Sequence, residues 1–139
     1  MHATVAWEGG ARFAGRADAG HTVVMDGPPE AGGLEQGPRP MEMVLLGLGG
    51  CSAFDVVNIL ARARRPPADC AVEIEAERAN ADPKVFIRIH LHFRVHGEPL
   101  SEKLVERAVR LSAQKYCSVV RMLSSTAAIT HDWALNPAS

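Results

Sequence analysis

The chain has 139 residues, 47% of them hydrophobic and 22% charged, with a formal net charge of −1. This composition suits one globular domain covering residues 1–139 and argues against disorder, and the near-neutral charge argues against a nucleic-acid partner. The start, Met1-His2-Ala3-Thr4-Val5, lacks the charged-then-apolar pattern of a secretory signal, and the apolar run from Met43 to Leu48 is too short to span a bilayer, so a cytoplasmic protein without a membrane partner is expected.

The first third reads as strands. Ala3 to Trp7 is β-prone and ends at the turn signal Glu8-Gly9-Gly10; Phe13 to Ala17 returns, and His21 to Met25 is a third strand. From Gly27 to Arg39 the chain is rich in Gly and Pro, which predicts a long mobile loop. Pro40 suits the first position of a helix, Glu42 lies in its first turn, and Pro66-Pro67 stops it after Arg62, Arg64 and Arg65. This helix, Met41 to Arg64, is apolar on nearly every face, which predicts burial all round.

Two alternating strands follow. Cys70, Val72, Ile74 and Ala76 share one face against Glu73, Glu75 and Glu77 on the other. After the turn at Asn80-Ala81-Asp82-Pro83, the odd residues from Val85 to Val95 form an apolar face, opposite Arg88, His90, His92, Arg94 and His96. The three histidines could converge on an ion, or simply form a solvated face opposite the glutamates; the latter is the expectation. Ser101 is a plausible N-cap for a helix running to about Tyr116, Cys117-Ser118 leads a short helix, and Ala127 to Leu135 is a last strand. Grouped strands and helices predict an α+β fold with an antiparallel sheet.

Among the three cysteines there is no CxxC and no Cys-to-His metal spacing, so neither a metal nor another cofactor is expected. Cys70 starts the apolar face of a strand and reads as a small core residue. Cys51 follows Gly49-Gly50 and precedes Ser52-Ala53; a functional thiol and a packed core thiol are both open. Cys117, at a helix junction near Lys115 and Arg121, is open in the same way, although positive groups and free helix N–H groups favour a thiolate. Asp55, one turn after Cys51, reads as a capping or salt-bridging carboxylate.

The segment from Pro40 through Gly49-Gly50-Cys51-Ser52-Ala53 to Val57 resembles the central cysteine helix of the OsmC/Ohr family, and Leu111-Ser112-Ala113-Gln114-Lys115-Tyr116-Cys117-Ser118-Val119 resembles its second signature. Nearly the whole chain takes part in the likeness, which is nearest to the YhfA-like branch. The resemblance implies an OsmC-like fold with antiparallel sheets wrapped around long central helices in an intertwined homodimer. It implies thiol peroxidase chemistry, in which Cys51 attacks a small hydroperoxide, Cys117 closes a disulfide and an external dithiol reductant restores both thiols. It further implies an arginine and a glutamate beside the thiol. Arg12 is the nearest match for the former, with Arg16 as rival, and Glu42 for the latter, although Met41 stands between it and Pro40. Two other functions are compatible with the residues: a non-catalytic protein holding a small apolar or electrophilic ligand at a dimer interface, and a structural stress protein with inert thiols.

Overall fold

In the computed structural model, which describes residues 1–138, the chain separates into two units, Met1–Leu46 and Gly47–Ser139. The first begins with β1 (Ala3–Trp7), β2 (Phe13–Ala17) and β3 (Thr22–Met25), an antiparallel sheet in the order β1-β2-β3. The β1–β2 turn uses Gly9 and Gly10 at φ of 97° and 53°. A side chain at Gly10 would also collide with the carbonyl of Gly32, so that position needs glycine on two grounds.

The Gly/Pro-rich segment is more organised than its composition suggests. Asp26 is 2% exposed, and its carboxylate accepts the backbone N–H groups of Gly27, Leu34 and Gln36 at 2.8, 3.3 and 3.2 Å. Those bonds hold its pKa below the ordinary carboxylate value, the Gly27 N–H contributing most. A short 3-10 turn, Pro29–Ala31, lies within the segment. One donor is the adjacent residue and two lie eight and ten residues on, so the carboxylate pins the segment back on its own start.

Helix α1 spans Pro40–Arg62. Pro40 occupies its first position, and Glu42 Oε1 reaches back 2.9 Å to accept the Arg39 N–H, one half of a capping box. Arg64 has φ of 61°, so the chain leaves helical geometry before the expected end. Only the row Leu48, Ser52, Val56 and Leu60, spaced four residues apart, is buried. Leu46, Phe54 and Val57 are exposed in the single chain, so the burial on all sides expected of this helix is not supplied by one copy alone. Over its full length α1 is long and apolar enough to cross a membrane; the estimate from the run Met43–Leu48 alone understated it, because interspersed glycines scarcely reduce mean hydropathy.

In the second unit, β4 (Asp69–Arg78), β5 (Phe86–His96) and β6 (Ala128–Leu135) form a sheet in that order. β4 and β5 are antiparallel, with Cys70 opposite Val95 and Ile74 opposite Leu91. Ile89, Leu91, Phe93 and Val95 are buried, as alternation predicts. A register shift at Glu77/Arg78 inserts one residue, so Phe86 is buried while Val85 and Ile87 are exposed. β6 runs parallel to β5, a correction to the all-antiparallel expectation. Parallel pairing requires a crossover of a dozen or more residues, and the connection supplies it: α2 (Glu102–Leu111), a π-helical turn (Ser112–Tyr116) and α3 (Ser118–Leu123). The Ser101 hydroxyl caps α2 by accepting the Leu104 N–H at 3.2 Å, and Val105, Ala108 and Val109 are its buried stripe.

Candidate functional site

Cys51 and Ser52 are consecutive on α1, and Asp55 lies one turn further. Near-absence of side chain at Gly49 lets the helix approach β4: a Cβ there would lie 3.0 Å from Ile74 Cδ1. On the facing side, the π turn replaces the helix end expected from the sequence. The Cys117 N–H donates to Ser112 O at 2.9 Å, a five-residue closure that widens the last turn. Cys117 then caps α3, its sulfur accepting the Val120 N–H at 3.5 Å.

These elements bring Cys51, Asp55 and Cys117 together: the two sulfurs and a carboxylate oxygen all lie within 4.8 Å of one another. All three cysteines are free thiols. Ser52 Oγ is 3.3 Å from Cys117 Sγ. Ser112 Oγ donates to Asp55 Oδ2 at 3.0 Å and contacts Ser52 O at 3.3 Å. Asp55 thus belongs to the thiol site, and among the described residues it makes neither the cap nor the salt bridge expected of it. Ser52 and Ser112, both fully buried, were missed by sequence reasoning. The available signal was a hydroxyl within an apolar helical row, since a buried hydroxyl needs a partner.

The two thiols differ in surroundings. Cys51 is half-buried, whereas Cys117 is 3% exposed. Burial pushes the Cys117 thiol pKa up, the Ser52 hydroxyl and the Val120 N–H pull against that, and Cys51 adds to the rise. Burial also raises the Asp55 carboxyl, against the Ser112 hydroxyl that stabilises its charged form. Two sulfurs and a carboxylate this close could exchange protons, join as a disulfide, or share a soft divalent ion. Asp55 also lines a cleft of about 460 Å³, together with Ile59, Arg62, Arg107, Leu111 and Tyr116.

The other predicted site residues lie in the first unit and have partners there. Arg12 Nε is 2.9 Å from Glu8 Oε1, and its Nη1 donates to Gln36 Oε1. The rival Arg16 donates to Thr22 Oγ1 at 3.2 Å. Glu42 accepts the Arg39 N–H that starts α1. Cys70 is half-buried on β4, and its thiol is pushed up by burial and then by Asp69.

A family profile described as OsmC-like protein matches residues 32–132. Protein YhfA of Escherichia coli strain K12 is 47% identical over 133 residues, which cover 96% of this chain and 96% of that protein. A hypothetical protein from Aquifex aeolicus VF5 superposes with a TM-score of 0.80 at 28% identity, covering 98% of this chain and 97% of its own. An organic hydroperoxide resistance protein OsmC from Legionella pneumophila shares the fold, with a TM-score of 0.72 at 16% identity, covering 96% and 95%.

Proposed function

The chain belongs to the OsmC-like protein family, and from that membership and the paired thiols we propose that it is a cytosolic thiol peroxidase that reduces organic hydroperoxides or hydrogen peroxide. The observation carrying this is the grouping of Cys51 Sγ and Cys117 Sγ within 4.8 Å beside the Asp55 carboxylate. Cys51 is the attacking sulfur, being the more accessible of the two. Its thiolate attacks the outer oxygen of the peroxide; the O–O bond breaks, the leaving alkoxide takes a proton and departs as alcohol, and Cys51 becomes a sulfenic acid.

The Cys117 thiol, held protonated by burial, then displaces hydroxide from the Cys51 sulfenic acid. Its proton leaves with that hydroxide as water, and the two sulfurs join. Asp55 is suited to carry protons between sulfur and solvent, because a carboxyl with a raised pKa is a better base than an ordinary one. An external dithiol supplies the two electrons that reopen the disulfide. Arg12 and Glu42 remain the candidates for orienting the peroxide, and the working form is a homodimer.

The 460 Å³ cleft beside Asp55 favours a second function, capture of a small ligand without turnover. Steady-state peroxide consumption with a dithiol reductant separates the two. Cys51→Ser is expected to reduce turnover roughly 1,000-fold or more, as loss of a nucleophile does, and Cys117→Ser to accumulate a sulfenic acid trappable by dimedone. Undiminished turnover in folded Cys51→Ser would end the peroxidase proposal.

A further inference from the structure

The thiol site also has the composition of a metal centre. Cys51 Sγ, Cys117 Sγ and an Asp55 carboxylate oxygen lie within 4.8 Å of one another, two soft ligands and one hard one. Linear spacing shows no sign of it, because Cys117 meets the other two only through the π turn that follows α2. A zinc-type ion bonds sulfur at about 2.3 Å and carboxylate oxygen at about 2.0–2.2 Å. In a tetrahedron those bonds set the sulfurs about 3.8 Å apart and each sulfur about 3.6 Å from the oxygen. Separations of that size fit the span of the cluster.

The surroundings orient these ligands. Ser112 Oγ donates to Asp55 Oδ2 at 3.0 Å, which fixes the carboxylate. The Val120 N–H donates to Cys117 Sγ at 3.5 Å, and the Ser52 hydroxyl is 3.3 Å from the same sulfur. With Cys117 as thiolate both groups donate to it, and outer hydrogen bonds of this kind hold ligating atoms in place. Access is present too. Cys51 is half-buried, and Asp55 lines the 460 Å³ cleft, a path for the ion and for a water in the fourth position. Two thiolates cancel the two charges of the ion, and Arg62 and Arg107 on the same cleft offset the carboxylate.

We infer that the reduced protein binds a zinc-type divalent ion through Cys51, Cys117 and Asp55. Thiolate ligands favour Zn²⁺ over the harder Mg²⁺ and Mn²⁺. On binding, each thiol releases its proton to solvent, and two sulfur–metal bonds and one oxygen–metal bond form. The ion then holds the Cys51 electron pair that would attack a peroxide, so a filled site is withheld from turnover. That consequence rests on the peroxidase proposal; the binding itself does not. An organic hydroperoxide that oxidises the filled site takes two electrons from the sulfurs. The O–O bond and both sulfur–metal bonds break, the sulfurs join, two solvent protons complete the alcohol and water, and Zn²⁺ leaves with its charge unchanged.

The test titrates reduced, chelator-treated protein with Zn²⁺ by calorimetry. No peroxide is present, so failure of binding and failure of turnover are read separately. One ion per chain at micromolar Kd or tighter is expected, and Co²⁺ as a probe is expected to give a sulfur-to-metal charge-transfer band. Cys51→Ser is expected to weaken Zn²⁺ binding by more than roughly 100-fold and Asp55→Asn by at least roughly 10-fold, whereas Cys70→Ala, outside the cluster, leaves it unchanged. Far-UV circular dichroism checks that each variant is folded; Cys51→Ser, half-buried and close in shape, serves if Asp55→Asn is not. Three results would each overturn the inference. They are no saturable binding up to about 1 mM Zn²⁺, unaltered binding in folded Cys51→Ser or Asp55→Asn, and a Co²⁺ complex without the sulfur band, which would place the ion on surface imidazoles such as His90 and His92.

Discussion

Cys51 and Cys117 sit in one cluster yet in different surroundings. Cys117 has a buried sulfur, a serine hydroxyl at 3.3 Å and a helix N–H at 3.5 Å, and burial outweighs both hydrogen bonds in setting its pKa. The folded chain therefore holds the Cys117 proton more tightly than the unfolded chain does. The stability this contributes is complete below the ordinary thiol value of 9.0 and is lost as pH rises through the higher value of the folded state. Thermal melts of reduced protein from neutral pH to about 10 are expected to show a fall in Tm that is shallower in Cys117→Ala. Parallel pH profiles for the two proteins would mean that burial does not govern this thiol. The residues alone marked both cysteines without ranking them; the order Cys51 before Cys117 came from the family resemblance, and the difference in burial between them comes from the fold.

Among the elements, those legible in the sequence were the ones with strong local chemistry. Period-2 alternation located β4 and most of β5, Pro40 with Glu42 located the start of α1, and Ser101 located the start of α2. What escaped depended on single inserted residues or on distant partners. The bulge opposite Arg78 puts Phe86 inside in place of Ile87, and the π turn at Ser112–Tyr116 interrupts what patterning read as one helix. The π turn bears on function because it sets where Cys117 falls. A π turn amounts to one extra residue in an α-helix. Deleting the exposed Gln114 is expected to restore α spacing and rotate Cys117 by about 100°, abolishing peroxide-driven disulfide formation while helix content persists. Mass spectrometry of the oxidised variant together with circular dichroism checks this, and a retained Cys51–Cys117 bond would show that the turn is dispensable.

For the molecule as a whole, the question is what covers α1. Phe54 is 68% exposed and Leu46 59% on a helix whose other row is core. An exposed apolar stripe of this kind marks an interaction surface, and the family resemblance supplies a second copy of the chain as the partner. Sedimentation at micromolar concentration is expected to give a dimer, and Phe54→Arg to shift it toward monomer by placing a charge at an apolar contact, a change costing several kcal/mol when the charge is left unpaired. A wild-type monomer would leave α1 to another partner.

Disulfide formation between Cys51 and Cys117 is the step on which the peroxidase proposal stands. Reduced protein titrated with cumene hydroperoxide, then read by free-thiol count, intact mass and peptide mapping, is expected to lose both site thiols and about two mass units per chain, with Cys51 joined to Cys117. Unchanged thiols under excess peroxide would mean that this chain keeps the fold without the redox chemistry.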